Sequence, residues 1–168
     1  MEVFEKLLDP ELYAYFKNAT FYENPVFHTA HKMVDFYIEF ENVIPLEIYE
    51  QIITKLQLSL HAHVKLHMHT KNCVIEMDEL DRYVNYFVEK YNDVKDFRFL
   101  HPYLENDTIC FSTRDESRLA ALNLALPSLM EKLADVGITQ EIVCKKVDDD
   151  IEIETAKVQV SAPVVKQE

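Results

Sequence analysis

VDFYIEFENVIPLEIYEQIITKLQLSLHAHVKL, residues 34–66, changes its hydrophobic period twice, and those two changes set the fold. Val34, Phe36, Ile38 and Phe40 alternate with Asp35, Tyr37 and Glu39, the pattern of a strand with one dry face and one wet one. Pro45 suits a first helical turn, where its missing N–H has no partner to lose. Leu46, Tyr49, Ile52, Ile53, Leu56 and Leu60 then recur at spacings of three and four, which makes an apolar helical stripe. Over Ala62–Thr70 the period returns to two. Ala62, Val64, Leu66 and Met68 point one way, and His61, His63, Lys65, His67 and His69 the other. Strand, helix and strand with one apolar face each require the helix to cover one side of the sheet, so the class is α+β.

Thr20–His28 is expected to pair antiparallel with the 34–40 strand across a turn near Thr29–Lys32, with Pro25 demoting it to an edge. Glu2–Lys17 reads as helix, broken into two short pieces at Pro10. These elements make a first unit, residues 1–72, of helix, strand, strand, helix and strand. A second unit, 73–147, opens with Asp78 as N-cap of a helix carrying Leu80, Tyr83, Val84, Phe87, Val88 and Tyr91. Val94–Glu105 is aromatic but aperiodic, and Thr108–Ser112 is a short strand. Thr113–Glu116 has the capping-box form. It opens a helix to about Asp135, with Leu119, Leu122, Leu126, Leu129, Met130 and Leu133 inward and a kink at Pro127. Gly137 ends that helix and Glu141–Val147 closes as a strand. Residues 148–168 read as an acidic linker or tail, as if the chain were the front of something longer.

Composition excludes much. Gly137 is the single glycine in 168 residues, where ordinary usage supplies about a dozen. Phosphate loops, dinucleotide fingerprints and nucleophile elbows need glycine for close backbone approach or positive φ, so none can be built. The net charge of −13 is spread along the chain and repels phosphate backbones and anionic lipid. Cys73, Cys110 and Cys144 are far apart and odd in number, which suggests reduced thiols serving as small hydrophobes. The N-terminal residues carry acids and no basic n-region, so they are no signal peptide. No apolar run nears the ~18–20 residues of a membrane span, and a cytoplasmic location is expected.

His61, His63, His67 and His69 form a row that could offer two imidazoles to one metal ion. A third ligand is not evident, and Lys65 stands among them, so a solvated strand face is the plainer reading. Were the row to act, protonation near the imidazole pKa of ~6.5 is the expected chemistry. Ser, His and Asp show no pattern marking a nucleophile, so no catalytic residue is assigned and no cofactor is expected. Aromatics crowd the first unit. Tyr22, Phe27, Tyr37 and Tyr49 are candidates for a partner-protein contact, against ordinary core with scattered surface rings.

Residues 34–66, through Phe36, Phe40, Ile44, Pro45, Ile48, Tyr49, Leu56 and Lys65, resemble the N-terminal region of the PolC-type DNA polymerase III alpha subunit of low-GC Gram-positive bacteria. A weaker likeness continues through Asp107–Val143. Where that family usually has a Trp and two His in the strand, this chain has Val34, Asp35 and Tyr37. The resemblance implies two small non-catalytic N-terminal domains, the second KH-like. The DNA-directed polymerase and 3′–5′ exonuclease activities of such a parent, and its divalent metal ions, would lie on other segments. A working KH site needs a G-x-x-G loop, which one glycine cannot supply, so the KH-like unit would lack it. The function implied is protein docking within the replisome, to clamp-loader subunits or the polymerase body. The alternative is single-stranded nucleic-acid binding, with Phe97, Arg98, Phe99 and Tyr103 as the stacking set.

Overall fold

A computed structural model describes residues 1–147; the acidic tail expected over 148–168 lies outside the described residues. The chain is mixed α and β with two three-stranded sheets. It divides into two compact units, and the first is discontinuous in sequence: Met1–Glu79 together with Glu131–Thr139.

In the first unit the apolar segment before Pro10 forms α1 (Glu2–Leu7), and Pro10 itself opens α2 (Pro10–Tyr13). Strand β1 (Thr20–His28) returns antiparallel on β2 (Met33–Asn42) through a 3₁₀ turn at Thr29–His31. Helix α3 (Leu46–Leu60) then crosses over to β3 (His63–Asn72), which pairs parallel with β2. The sheet order β1-β2-β3 leaves β1 at an edge, as Pro25 demands, and the register slips twice between Phe21 and Val26. Such slips are bulges, which bend an edge strand and discourage further pairing.

Val34, Phe36, Ile38 and Phe40 of β2 and Val64, Leu66 and Met68 of β3 share the buried face. Ile52 and Leu56 of α3 close over it, and Phe4 and Phe16 fill the remainder. Phe4 lies 5.1 Å edge-on from Phe36 and Phe16 5.0 Å from Phe40, a preferred geometry for aromatic pairs. Each fully buried ring of this kind contributes ~2–3 kcal/mol. The N-terminus of α3 is closed by Glu79, whose carboxylate accepts the Leu46 N–H at 2.9 Å. Acid there also answers the helix dipole.

The second unit, described over 80–130 and 140–147, holds most of α4 (Met77–Lys90) and α5 (Glu116–Ala134). Its sheet is β4 (Tyr103–Glu105), β5 (Thr108–Thr113) and β6 (Ile142–Lys146), with β4–β5 antiparallel and β5–β6 parallel. Strand β4 emerges from the stretch that reads as aperiodic. Ile109, Cys110 and Phe111 of β5 are all fully buried, the mark of a strand covered on both faces. Both units thus run helix, strand, strand, helix, strand with the same pairing pattern. Among the described residues no helix is long and apolar enough to cross a membrane.

Some local expectations shift. Asp78 stands inside the first turn of α4 rather than ahead of it, where its charge favours the helix dipole. The cap of α5 is Asp115, whose carboxylate accepts the Ser117 N–H at 2.9 Å, while the Thr113 hydroxyl accepts the Asp115 N–H. The inward stripe of α5 takes Ala125 and leaves Met130 40% exposed. Pro127 lies inside α5, where the sequence places it.

Candidate functional site

Alternation in β2 places Asp35, Tyr37 and Glu39 on the sheet face away from the core, and the parallel register sets Tyr37 beside His67 and Glu39 beside His69. The end of β1 brings His28 to the same face. The turn after α5 supplies the last member: the Met68 N–H donates to the Asp135 carbonyl at 2.9 Å, which lays that segment along β3.

The result is a chain of side-chain hydrogen bonds. His28 Nε2 meets Asp35 Oδ2 at 2.8 Å, Asp35 Oδ1 meets His67 Nε2 at 2.8 Å, and His67 Nδ1 meets Asp135 Oδ1 at 2.9 Å. Both ring nitrogens of His67 face carboxylate oxygens, so both must carry protons for ionised carboxylates to accept from them. The hydrogen bond to Asp135, aided by that to Asp35, outweighs burial and holds the His67 pKa above its ordinary value. Burial pushes the Asp35 carboxyl up, but hydrogen bonds from His67 and His28 prevail and hold it below the usual carboxylate range. Tyr37 stacks on His67 at 4.7 Å, and Tyr22 stacks on His69 at 3.8 Å. Burial first, then Asp135, raises the Tyr22 phenol, and burial first, then Asp35, raises that of Tyr37.

The histidine row is therefore divided. His61 is not in the strand: it ends α3 in the left-handed conformation at φ 52. His63 is exposed, His67 is tied to two carboxylates and His69 lies against a tyrosine. No group of three His, Cys, Asp or Glu among the described residues is disposed to hold a metal ion.

Of the aromatic candidates, Tyr22 and Tyr37 meet edge-on at 5.8 Å on this face. Tyr49 is half-buried on α3, which packs against the other face. Phe27 is 66% exposed and borders a cleft of about 420 Å³. That cleft runs from His28 and Thr29 past Lys32, Met33 and Val34 to the end of α3 at Leu60, His61 and Ala62.

Residues 2–69 match the family model described as DNA polymerase III polC-type N-terminus I. The match covers less than half of the chain, and over that segment the chain is similar to the polC-type DNA polymerase III N-terminal family. No curated protein and no solved structure matches the chain. The matched segment runs from α1 into β3 and so contains His28, Asp35 and His67, while Asp135 lies outside it. It also contains the whole cleft.

In the second unit, Phe97 is buried and packs edge-on against Phe111 at 4.9 Å, so its ring is not presented to solvent. Phe99 is 82% exposed, at φ 66, with the Arg98 guanidinium 5.6 Å from its ring. The hydroxyl of Tyr103 is 2.6 Å from that of Ser112. Burial, then Cys110, pushes the Cys144 thiol up to about 11, which leaves it protonated and unreactive near neutrality.

Sequence reasoning missed Asp35, Asp135, His28 and Lys32. An aspartate at an outward strand position reads as solvated. Only the register of β3 and the return of the 131–139 segment reveal its partners.

Proposed function

We propose that this chain is a non-catalytic docking module of a polC-type replicase, joining the polymerase body to replisome proteins such as clamp-loader subunits. The observation that carries the reading is Phe27, a large ring 66% exposed at the mouth of an apolar cleft within the polC-type segment. Exposed aromatics beside apolar pockets are what protein interfaces use as anchors. The ionisable groups of the outer sheet face, His28, Asp35, His67 and Asp135, are engaged with one another. On this reading polymerase and 3′–5′ exonuclease chemistry, with its divalent metal ions, resides on other segments of the parent. The test is calorimetric titration of the full chain against clamp-loader subunits and against the polymerase body. Binding of micromolar strength or better, weakened about tenfold by Phe27→Ala, supports it. No binding to any of these proteins overturns it.

A second reading rests on Phe99 and Arg98. A KH-like second unit without a glycine loop would offer this exposed ring and guanidinium as a stacking platform for single-stranded nucleic acid. Anisotropy with labelled oligonucleotides at low and moderate salt tests it. Measurable affinity with a steep salt slope, lost in Phe99→Ala, promotes this reading over docking.

A further inference from the structure

The cleft beside Phe27 has a charge environment unlike the rest of the chain. No Asp or Glu occurs between Glu23 and Asp35, or between Glu50 and Glu76, in a protein of net charge −13. Those two stretches hold Lys32, Lys55, Lys65 and Lys71 and six of the seven histidines. They meet at the cleft, where the Lys32 carbonyl accepts the His63 N–H at 2.8 Å. None of the nine lining residues is acidic, and Phe27, Met33, Val34, Leu60 and Ala62 form an apolar lining. Lys32 is the one lysine among the lining residues, with His28 and His61 beside it.

Lys32 is the decisive one. It holds φ 49, a conformation that Gly or Asn adopts at little cost and Lys does not. Elsewhere left-handed backbone falls to Asn18, Asn106, Asp107 and Gly137, and otherwise to the exposed Phe99 and to His61, itself on this cleft. A lysine in this conformation carries some local strain, and its side chain lines the cleft. Its ammonium group has no carboxylate partner among the described residues, whereas Lys55 pairs with Asp9 and His28 with Asp35.

We infer that this cleft receives a short acidic peptide segment of a partner protein, with one or two large apolar side chains seated between Phe27 and Leu60 and a carboxylate paired with Lys32. The inference rests on the docking reading and names the chemistry of the partner. A nucleic acid is also anionic, but its backbone would run beyond the few cations onto a strongly acidic protein, and the lining suits aliphatic and aromatic side chains.

The test titrates the full chain with a fluorescein-labelled peptide of about twelve residues that has a Phe-Leu centre for the cleft, flanked on both sides by Asp and Glu that extend past it. Controls are the same centre flanked by Lys, the same acids around Ser-Ser, and an oligonucleotide of equal charge. The acidic Phe-Leu peptide should bind at least about tenfold tighter than any control, with a salt dependence. Lys32→Gly, which relieves the backbone, and Phe27→Ser at an exposed position should each weaken it about tenfold, while Leu58→Ser leaves it unchanged. Equal binding of the Lys-flanked peptide, or full binding by Lys32→Gly, overturns the inference, as does tighter binding of the oligonucleotide. If Phe27→Ser weakens binding to replisome proteins but Lys32→Gly does not, the docking reading stands and the acidic-peptide assignment alone falls; if neither does, both fall.

Discussion

Both ring nitrogens of His67 lie within hydrogen-bond distance of carboxylate oxygens, and the stability this adds depends on pH in a defined direction. Its folded pKa is raised, so the contribution is complete below the unfolded value of ~6.5 and is lost as pH climbs through the folded one. Asp35 is the reverse case: its folded pKa is lowered, so its contribution is complete above ~3.9 and is lost as pH falls through the folded value. Denaturant titrations should show the cluster contributing most between about pH 4 and 6.5. The alkaline decline should be shallower in His67→Gln, and NMR should place the His67 midpoint above that of an unfolded peptide. Asp35→Asn, which removes an acceptor charge from a buried site, should cost ~1–3 kcal/mol by the same titration. Backbone conformation supplies a second pair of predictions. Gly137 has φ 87, and a Cβ there would lie 2.5 Å from Thr70 Cγ2. Gly137→Ala should therefore destabilise by ~1–3 kcal/mol, and adding Thr70→Ser should recover part of the loss but not the φ penalty. Lys32→Gly should leave the melting temperature unchanged or raise it, since relief of strain offsets the entropy of glycine.

Helix α5 shows how a motif can be right in kind and misplaced in detail. Thr113–Glu116 has the spacing of a capping box, yet Asp115 is the residue whose carboxylate accepts a helix N–H. Thr113 is held in β5, too early in the chain to act as the cap. Asp115→Ala should cost ~1 kcal/mol, while Glu116→Ala, on a side chain 82% exposed, should cost almost nothing. Thermal denaturation of the two variants separates these assignments. The other end of α5 follows the sequence closely. Gly137 N–H donates to Ala134 O and Ile138 N–H to Leu133 O, the paired bonds by which a left-handed residue closes a helix. The elements of the first unit were legible because long alternating and helical periods are hard to satisfy any other way. Strand β4 was not, because three residues, Tyr103–Glu105, are too few to carry a period.

The first unit is completed from far along the chain. Glu131–Thr139 returns to the edge of β3, where Met68 bonds Asp135, Thr70 Oγ1 donates to Gly137 O at 2.8 Å, and Cys73 Sγ reaches the same carbonyl at 3.2 Å. A chain ending at Asn72 would retain α1 through β3 but lose all of these partners. It should melt well below the full chain, and its His67 should titrate closer to the ordinary imidazole value, which NMR can follow. The order of strands and helices in the first unit, the buried face of β2 and the edge at Pro25 were written in residue types and their spacing, because local periodicity and backbone sterics act within a few residues. The pairing of β3 beside β2, the closure of His28, Asp35, His67 and Asp135 into one hydrogen-bonded chain, and the meeting of Lys32 with the end of α3 came only from the folded form. These contacts join residues up to 68 positions apart, and no period within a short window encodes which distant segment will lie beside a given edge.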